Sequence, residues 1–353
     1  MKPMFSTAAL AVGISLAALA AGPAQAQQYN WRLTHFAAKT SAFYTVMTQP
    51  FLNRMQEFYG DKVKITTFGG GELAPGLKAY EAVVDGVADM AHTTPLYVVN
   101  QDFANTFIGG HPGGMDADAL MYWLYEAGGQ ELATEFKRNT MGLHTLVAGC
   151  LTAEVWHSHK PLRNVADLKG LRFRTAGAWA TILGKRFEAA PVVVGGAELY
   201  TLFERKGVDA LEWSGLAENL AMGFDRISKY ITVPAPHLNG GCFELVWKTK
   251  TWDALPEKMR KDIAAIAKLA TLDSLLLWKK TEIQAFAKLK DNKNVTVVTA
   301  SPELVKSVSD AGRDYVYELI KEGKDKSGWL KKMADSYYGA MGTYQSARPL
   351  LTQ

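Results

Sequence analysis

Short apolar runs along this chain alternate with segments in which apolar residues recur every three or four positions. Residues 29–36 and 62–68 have the two-residue period of half-buried strands, and 88–93 is a further strand candidate. Between them, 42–59 and 76–85 carry helical spacing, and Pro50 predicts a kink or restart inside the first. The pattern begins again near Leu146, with a strand to about His157 and further strands at 171–174, 191–194 and 210–213. Helices over about 180–187 and 197–205 separate these strands. Two successive blocks of this kind predict two α/β lobes, each on a mainly parallel sheet. Residues 256–291 contain no glycine, and no proline after the first position. A helix of that length would reach about 54 Å. That exceeds one small domain, so it either bridges both lobes or breaks near Thr271–Asp273. A strand at 295–298, a helix over 302–322 and a helical region over 328–348 complete the pattern.

The first 26 residues read differently. Lys2, an apolar stretch over 8–21 and the small-residue triplet Ala24-Gln25-Ala26 form a secretory leader, cut after Ala26. The apolar stretch is too short for a membrane span, which needs about 20 residues. The later candidate, 263–278, is interrupted by Lys268 and Asp273. A cleaved, exported chain in the periplasm is therefore expected. With 39 Lys and Arg against 35 Asp and Glu, the net charge is +4. No basic run interleaved with aromatics accompanies it, so nucleic acid is excluded as a partner. Cys150 and Cys242 each follow a glycine in a strand-like run. They either pair across neighbouring strands or stay as buried thiols.

Chemistry-bearing motifs are few. Gly69-Gly70-Gly71 lacks the following Gly-Lys-Ser/Thr of a phosphate loop, and no Gly-x-Ser-x-Gly or His-Glu-x-x-His occurs. Three strings stand out. In Asp167-Leu168-Lys169-Gly170-Leu171-Arg172-Phe173-Arg174, strand alternation puts both arginines on one face, where a guanidinium fork suits a carboxylate. Val208-Asp209-Ala210-Leu211-Glu212-Trp213-Ser214-Gly215 is an apolar strand ending in an acid and an aromatic. Strand C-termini in open α/β sheets face the ligand crevice, where such an acid needs a cation or an arginine. Asp85–Thr93, with Tyr97 after it, is a strand running out into a loop.

Together these strings resemble the periplasmic substrate-binding subunits of tripartite ATP-independent periplasmic (TRAP) transporters, in the branch that binds 2-oxo acids or lactate-type monocarboxylates. Asp167–Arg174 is similar to the family's D-L-K-G-L-K-x-R, Asp209–Gly215 to D-A-x-E-W-x-G, Gly86–Thr93 to G-x-x-D-M-x-H-T, and Gly128–Leu132 to G-G-Q-E-L. The resemblance implies an α/β, two-lobed periplasmic binding protein fold with crossing hinge strands and a long lobe-spanning helix. Lobe I would take 27–150 plus 240–280, lobe II 151–239 plus 281–325, and 326–353 a C-terminal helical region. It implies a solute receptor, not an enzyme, delivering a small 2-oxo or 2-hydroxy monocarboxylate to TRAP membrane subunits. A periplasmic enzyme with Glu212 as acid/base is the alternative reading.

By the same resemblance Arg174 pairs with the substrate carboxylate, Tyr97 lines the cleft, and His237 stands where relatives carry an aromatic. Glu212 and the backbone of Trp213 would hold Na+ or Ca2+ bridging the substrate, with no organic cofactor. The glutamine that completes the metal site in that branch has no counterpart: either Thr152 or Glu154 stands in its place, or the metal is absent. Relatives carry Pro-Phe-Gly-Met where this chain has Pro112-Gly113-Gly114-Met115, which implies a larger pocket and a ligand bulkier than pyruvate. The C-terminal helix, with Trp329, Tyr337, Tyr338 and Tyr344, has apolar bulk for a homodimer or for docking onto its own lobe.

Overall fold

Eleven strands sort into two sheets in the structure of the chain, a computed structural model that describes residues 28–351. The leader over 1–26 lies outside the described residues. The first sheet contains Tyr29–His35 (β1), Val63–Phe68 (β2), Met90–Thr93 (β3) and Leu143–Leu151 (β4). The second contains Trp156–Ser158 (β5), Arg172–Arg174 (β6), Ala190–Val192 (β7), Ala210–Glu212 (β8) and Tyr230–Thr232 (β9). Gly241–Lys248 (β10) then returns to the first sheet and Thr296–Val298 (β11) to the second, giving orders β2-β1-β3-β10-β4 and β11-β9-β5-β8-β6-β7.

Both sheets are mixed rather than mainly parallel. β10 lies antiparallel to β3 and β4, and β5 antiparallel to β8 and β9. The cause is the crossover: each of these strands arrives directly from the other sheet and therefore enters against the local direction. The single strand expected from Leu146 to His157 is for the same reason two strands, with 152–155 carrying the chain across. Cys150 and Cys242 fall opposite one another on β4 and β10 and are joined by a disulfide, which settles the alternative left open above.

Pro50 lies where the first helix changes winding, a π-helical Phe43–Thr48 passing into α-helical Gln49–Tyr59. The long helix, Glu257–Lys290, is unbroken and about 51 Å long. Thr271 does not break it, because its hydroxyl donates to the Ala267 carbonyl (2.8 Å) and accepts from Gly149 N–H (3.1 Å). Asp273 is held by Arg54. The first half of this helix buries Met259, Ile263 and Ile266 with Trp31, Leu33 and Leu245 of the first sheet. Its second half buries Ala285 and Leu289 with Ile231 of the second. One rigid rod thus packs on both sheets. Among the described residues no helix is long and apolar enough to cross a membrane.

The C-terminal helix, Trp329–Leu351, folds back onto the chain. Trp329, Leu330, Met333 and Tyr337 are buried in the large core cluster beside Trp123 and Phe136. Met115 N–H donates to the Tyr337 hydroxyl (2.6 Å), and the Tyr338 hydroxyl lies 2.8 Å from His111 Nε2. Trp329 and Tyr337 are thus covered within the chain, the second of the two uses expected for this helix, and a homodimer is not supported.

Candidate functional site

Six side chains from both sheets and their crossovers converge on one cavity of about 50 Å³: Tyr97, Glu154, Arg174, Glu212, Trp213 and His237. Thr152, the alternative to Glu154, does not line it. Arg174 and Glu212 occupy the C-terminal ends of adjacent parallel strands, β6 and β8, where open α/β sheets present side chains to a crevice. Glu154 and His237 come from the segments that link the sheets. Tyr97 follows β3 in a short 3-10 turn, Pro95–Val98, that Thr94 caps through Leu96 N–H.

Strand alternation puts Arg172 and Arg174 on one face, yet their surroundings differ. Arg172 is exposed and pairs with Asp209 (Nη2 to Oδ1, 2.7 Å), whose carboxyl it holds below its usual range by hydrogen bonding. Arg174 is 2% exposed. Its Nε and Nη2 donate to the Val194 carbonyl (3.2 and 2.9 Å) and Nη1 to the Glu212 carbonyl. Its guanidinium carbon lies 5.2 Å from the centre of the Trp213 ring. A guanidinium has five N–H groups, so these bonds leave one on each Nη for an outside acceptor. Backbone carbonyls thus orient the fork without neutralising it.

The acids are placed less comfortably. Glu212 accepts from Ala176 N–H (2.9 Å), and its other oxygen lies 3.6 Å from Arg174 Nη1. Burial raises its carboxyl above the usual range, and the nearby charge of Glu154 adds to this. Burial pushes Glu154 up to about 7. Its Oε2 makes no hydrogen bond within the chain, and His237 Nε2 lies 3.2 Å away. Burial lowers His237 to about 4, so its ring is neutral at pH 7. The indole N–H of Trp156, a donor only, points at His237 Nδ1 (2.9 Å). Nδ1 must accept, and the ring proton sits on Nε2, facing Glu154.

Glu154, Glu212 and His237 bring one polar atom each within 4.8 Å of one another. Two buried carboxylates so close are costly unless a cation joins them. The orphaned oxygen of Glu154 and the oxygen-rich donor set fit a hard cation such as Na+ or Ca2+. The apolar wall is Phe36, Phe43, Leu151, Trp179, Leu238 and Phe243, and the indole N–H groups of Trp179 and Trp213 have no hydrogen-bond partner.

The enlarged pocket expected from Gly113 and Gly114 is not found. A Cβ on Gly113 would meet Ser309 and one on Gly114 the Tyr337 hydroxyl, so both glycines face helices behind the cavity. His237, tilted against Trp156 and Trp179 with ring centres 5.7 Å apart, fills the space an aromatic would take. The cavity itself is small, and Arg174 and Tyr97 also line a larger neighbouring pocket of about 790 Å³. Sequence reasoning missed Phe36, Phe43, Phe243 and Trp179 as lining residues. Their only local signal is position: Phe36 follows the C-terminal end of β1.

Comparison with known proteins follows this geometry. The family model described as bacterial extracellular solute-binding protein, family 7, matches residues 33–322. A monocarboxylate 2-oxoacid-binding periplasmic protein of Nostoc is 25% identical over 313 residues, covering 87% of this chain and 83% of that one. The crystal structure of a TRAP periplasmic solute-binding protein from Pseudoalteromonas atlantica with bound sodium and pyruvate aligns with a TM-score of 0.83. It is 25% identical over 91% of this chain and 96% of its own. A TRAP solute-binding protein from Colwellia psychrerythraea, with bound calcium and pyruvate, gives the same TM-score and identity over 92% and 99%. The matched family is one of receptors, not enzymes, which removes the acid/base reading of Glu212. The chain belongs to family 7 of the bacterial extracellular solute-binding proteins.

Proposed function

We propose that this receptor captures a small 2-oxo or 2-hydroxy monocarboxylate together with a hard cation, sodium or calcium, and delivers it to the membrane subunits of a TRAP transporter. The observation that carries the reading is the Arg174 fork, buried and oriented by carbonyls, with an N–H left on each Nη beside two acids. A carboxylate accepts two parallel bonds from such a fork. Phe36, Phe43 and Phe243 offer the apolar contact that a short alkyl end needs. Tyr97, whose hydroxyl burial pushes up to about 12, stays a neutral hydrogen-bonding group at the cavity edge. Glu212, the Trp213 carbonyl and Glu154 are the residues that would hold the cation, and His237 orients Glu154. The cation would supply a positive charge bridging the ligand's carboxylate and its 2-oxygen.

Capture is by closure about the crossing segments, with 27–150 plus 240–280 as one moving lobe, 151–239 plus 281–325 as the other, and 326–353 riding on them. Ser41 Oγ and Ala42 N–H, at the start of the first helix, donate to the two oxygens of Glu218 beyond β8 (2.7 and 2.9 Å). Phe43 meets the Trp213 ring edge-on at 5.9 Å. These contacts join the two sheets' elements, so they form only as the cleft narrows and supply the differential free energy that closure requires. Export and cleavage after Ala26 place the receptor in the periplasm. Calorimetry with pyruvate tests the function: Arg174→Ala is expected to weaken binding by about 2 kcal/mol or more. Affinity unchanged by that substitution would remove the arginine from the site.

A further inference from the structure

We infer that Glu282, on the long helix, is a positioning residue for capture. It fixes the turn that carries Glu212 and Trp213 on one side and Glu218 on the other, and so governs closure of the cleft. The inference rests on the receptor reading above and names the residue through which the long helix takes part in it. The first observation is where this rod is tethered. Its side chains bond to elements of the first sheet at Asp262 (to Tyr59, 3.0 Å), Asp273 (to Arg54) and Lys279 (to Asp118, 2.7 Å). Trp278, fully buried, packs with Phe36, Phe43 and Phe243 of the cavity wall. One turn later, Glu282 accepts from Leu216 N–H through Oε2 (2.8 Å) and from Ala217 N–H through Oε1 (3.0 Å). Among the described residues, no other side chain of the rod hydrogen-bonds to an element of the second sheet.

The second observation is what that turn holds. A Cβ on Gly215 would lie 2.5 Å from Glu282 Oε1, so the glycine that ends the Asp209–Gly215 string is required by the close approach of this carboxylate. The Ser214 carbonyl accepts from Val155 N–H (3.3 Å), which joins the turn to the crossing segment beside Glu154. Glu218 lies on the same short helix, Leu216–Ala221, and reaches Ser41 and Ala42 at the start of the first helix. The first helix is in turn held to the rod, Arg54 Nε donating to Asp273 Oδ2 (3.1 Å). Three carboxylates thus close a ring of three helices. Asp273 and Glu282 fix two of its joints, and Glu218 makes the third, which forms as the cleft narrows. Bonds to an ionised acceptor are stronger than neutral ones, so the Glu282 joint is stiff. With that joint removed, the short helix is free to turn and Glu218 loses its aim on Ser41.

The test is a double-variant cycle on the full mature chain, read by calorimetry with pyruvate and by small-angle scattering without ligand. Glu282→Ala should weaken pyruvate binding about tenfold and shift the unliganded profile toward the open form. Glu282→Gln loses the charge, which also acts on Glu154, but keeps one acceptor oxygen, and should recover part of the loss. Adding Glu218→Ala to Glu282→Ala should cost little beyond Glu218→Ala alone, since both act through one joint. An unchanged circular dichroism spectrum shows that each variant is folded. Should Glu282→Ala not fold, Gly215→Ala, which displaces the carboxylate, carries the same cycle. Losses that add in full in the double variant overturn the inference, as does a Glu282→Ala chain with the parent's affinity and scattering, and both leave the receptor function intact. A parent chain that takes up no 2-oxo acid, with the scattering shift present, would do the reverse.

Discussion

Among the described residues, the buried ionic cluster of the first sheet's core differs from that of the cleft, and the difference separates architecture from function. Inside the first sheet's core, Lys137 Nζ lies 3.3 Å from Glu244 Oε2, donates to Asn105 and sits over the Tyr80 ring at 4.3 Å. Tyr80 donates to the same Glu244 oxygen. One cation faces one acid, and both are fully inaccessible. In the cleft, one cation faces two acids, and a guanidinium and a carboxylate oxygen are left with capacity for a further partner. The core pair is balanced and closed on itself, apart from the unpartnered Glu244 Oε1. The cleft set has one acid more than its single cation, and burial raises both carboxyls. A balanced pair specifies how elements pack, whereas an unbalanced one specifies what must come in.

Substitutions that break the comparison should have graded effects. Lys137→Met leaves Glu244 as an uncompensated buried acid and is expected to cost about 3–5 kcal/mol in urea unfolding. Adding Glu244→Leu should restore most of that stability, since a balanced pair can be replaced by apolar packing. A double variant as unstable as the single would refute the architectural role. Glu218→Ala removes the two bonds to Ser41 and Ala42 and should weaken pyruvate binding by about 1–2 kcal/mol. Small-angle scattering should then show a more open unliganded population, and an unchanged profile would discard the closure role. The smallest effect is also the most diagnostic. Glu212→Gln keeps an acceptor for Ala176 N–H while relieving the excess charge, so it should raise unliganded stability by about 1 kcal/mol and abolish binding. A fall in stability would mean that Glu212 belongs with the core pair in kind.

Local readings were legible where the physics is local. Pro50 marked the change of helical winding, and the glycine-free run of 256–291 marked helix, because both depend on residues a few positions apart, whereas the unbroken passage through Thr271–Asp273 was decided by tertiary contacts. The Arg172/Arg174 alternation was legible too, but not that one arginine would meet solvent and Asp209 while the other was buried. That depends on which end of a three-residue strand faces the other sheet. Gly113 shows the same limit: the missing side chain was visible, but the direction it would have pointed was set by a helix more than 190 residues later in the chain.

The amino-acid order alone settled the alternation of strands and helices and the motifs that name the family, since each is carried by contiguous residues whose periodicity or spacing is its own signal. Tertiary structure alone decided the direction of β5 and β10, the entry of Glu154 rather than Thr152 into the cavity wall, the tautomer of His237 and the docking of the C-terminal helix. Each of these is an energy between groups far apart in sequence. Burial, hydrogen-bond direction and charge balance act on such groups only after the two crossings have brought 154, 174, 212 and 237 together around the same 50 Å³.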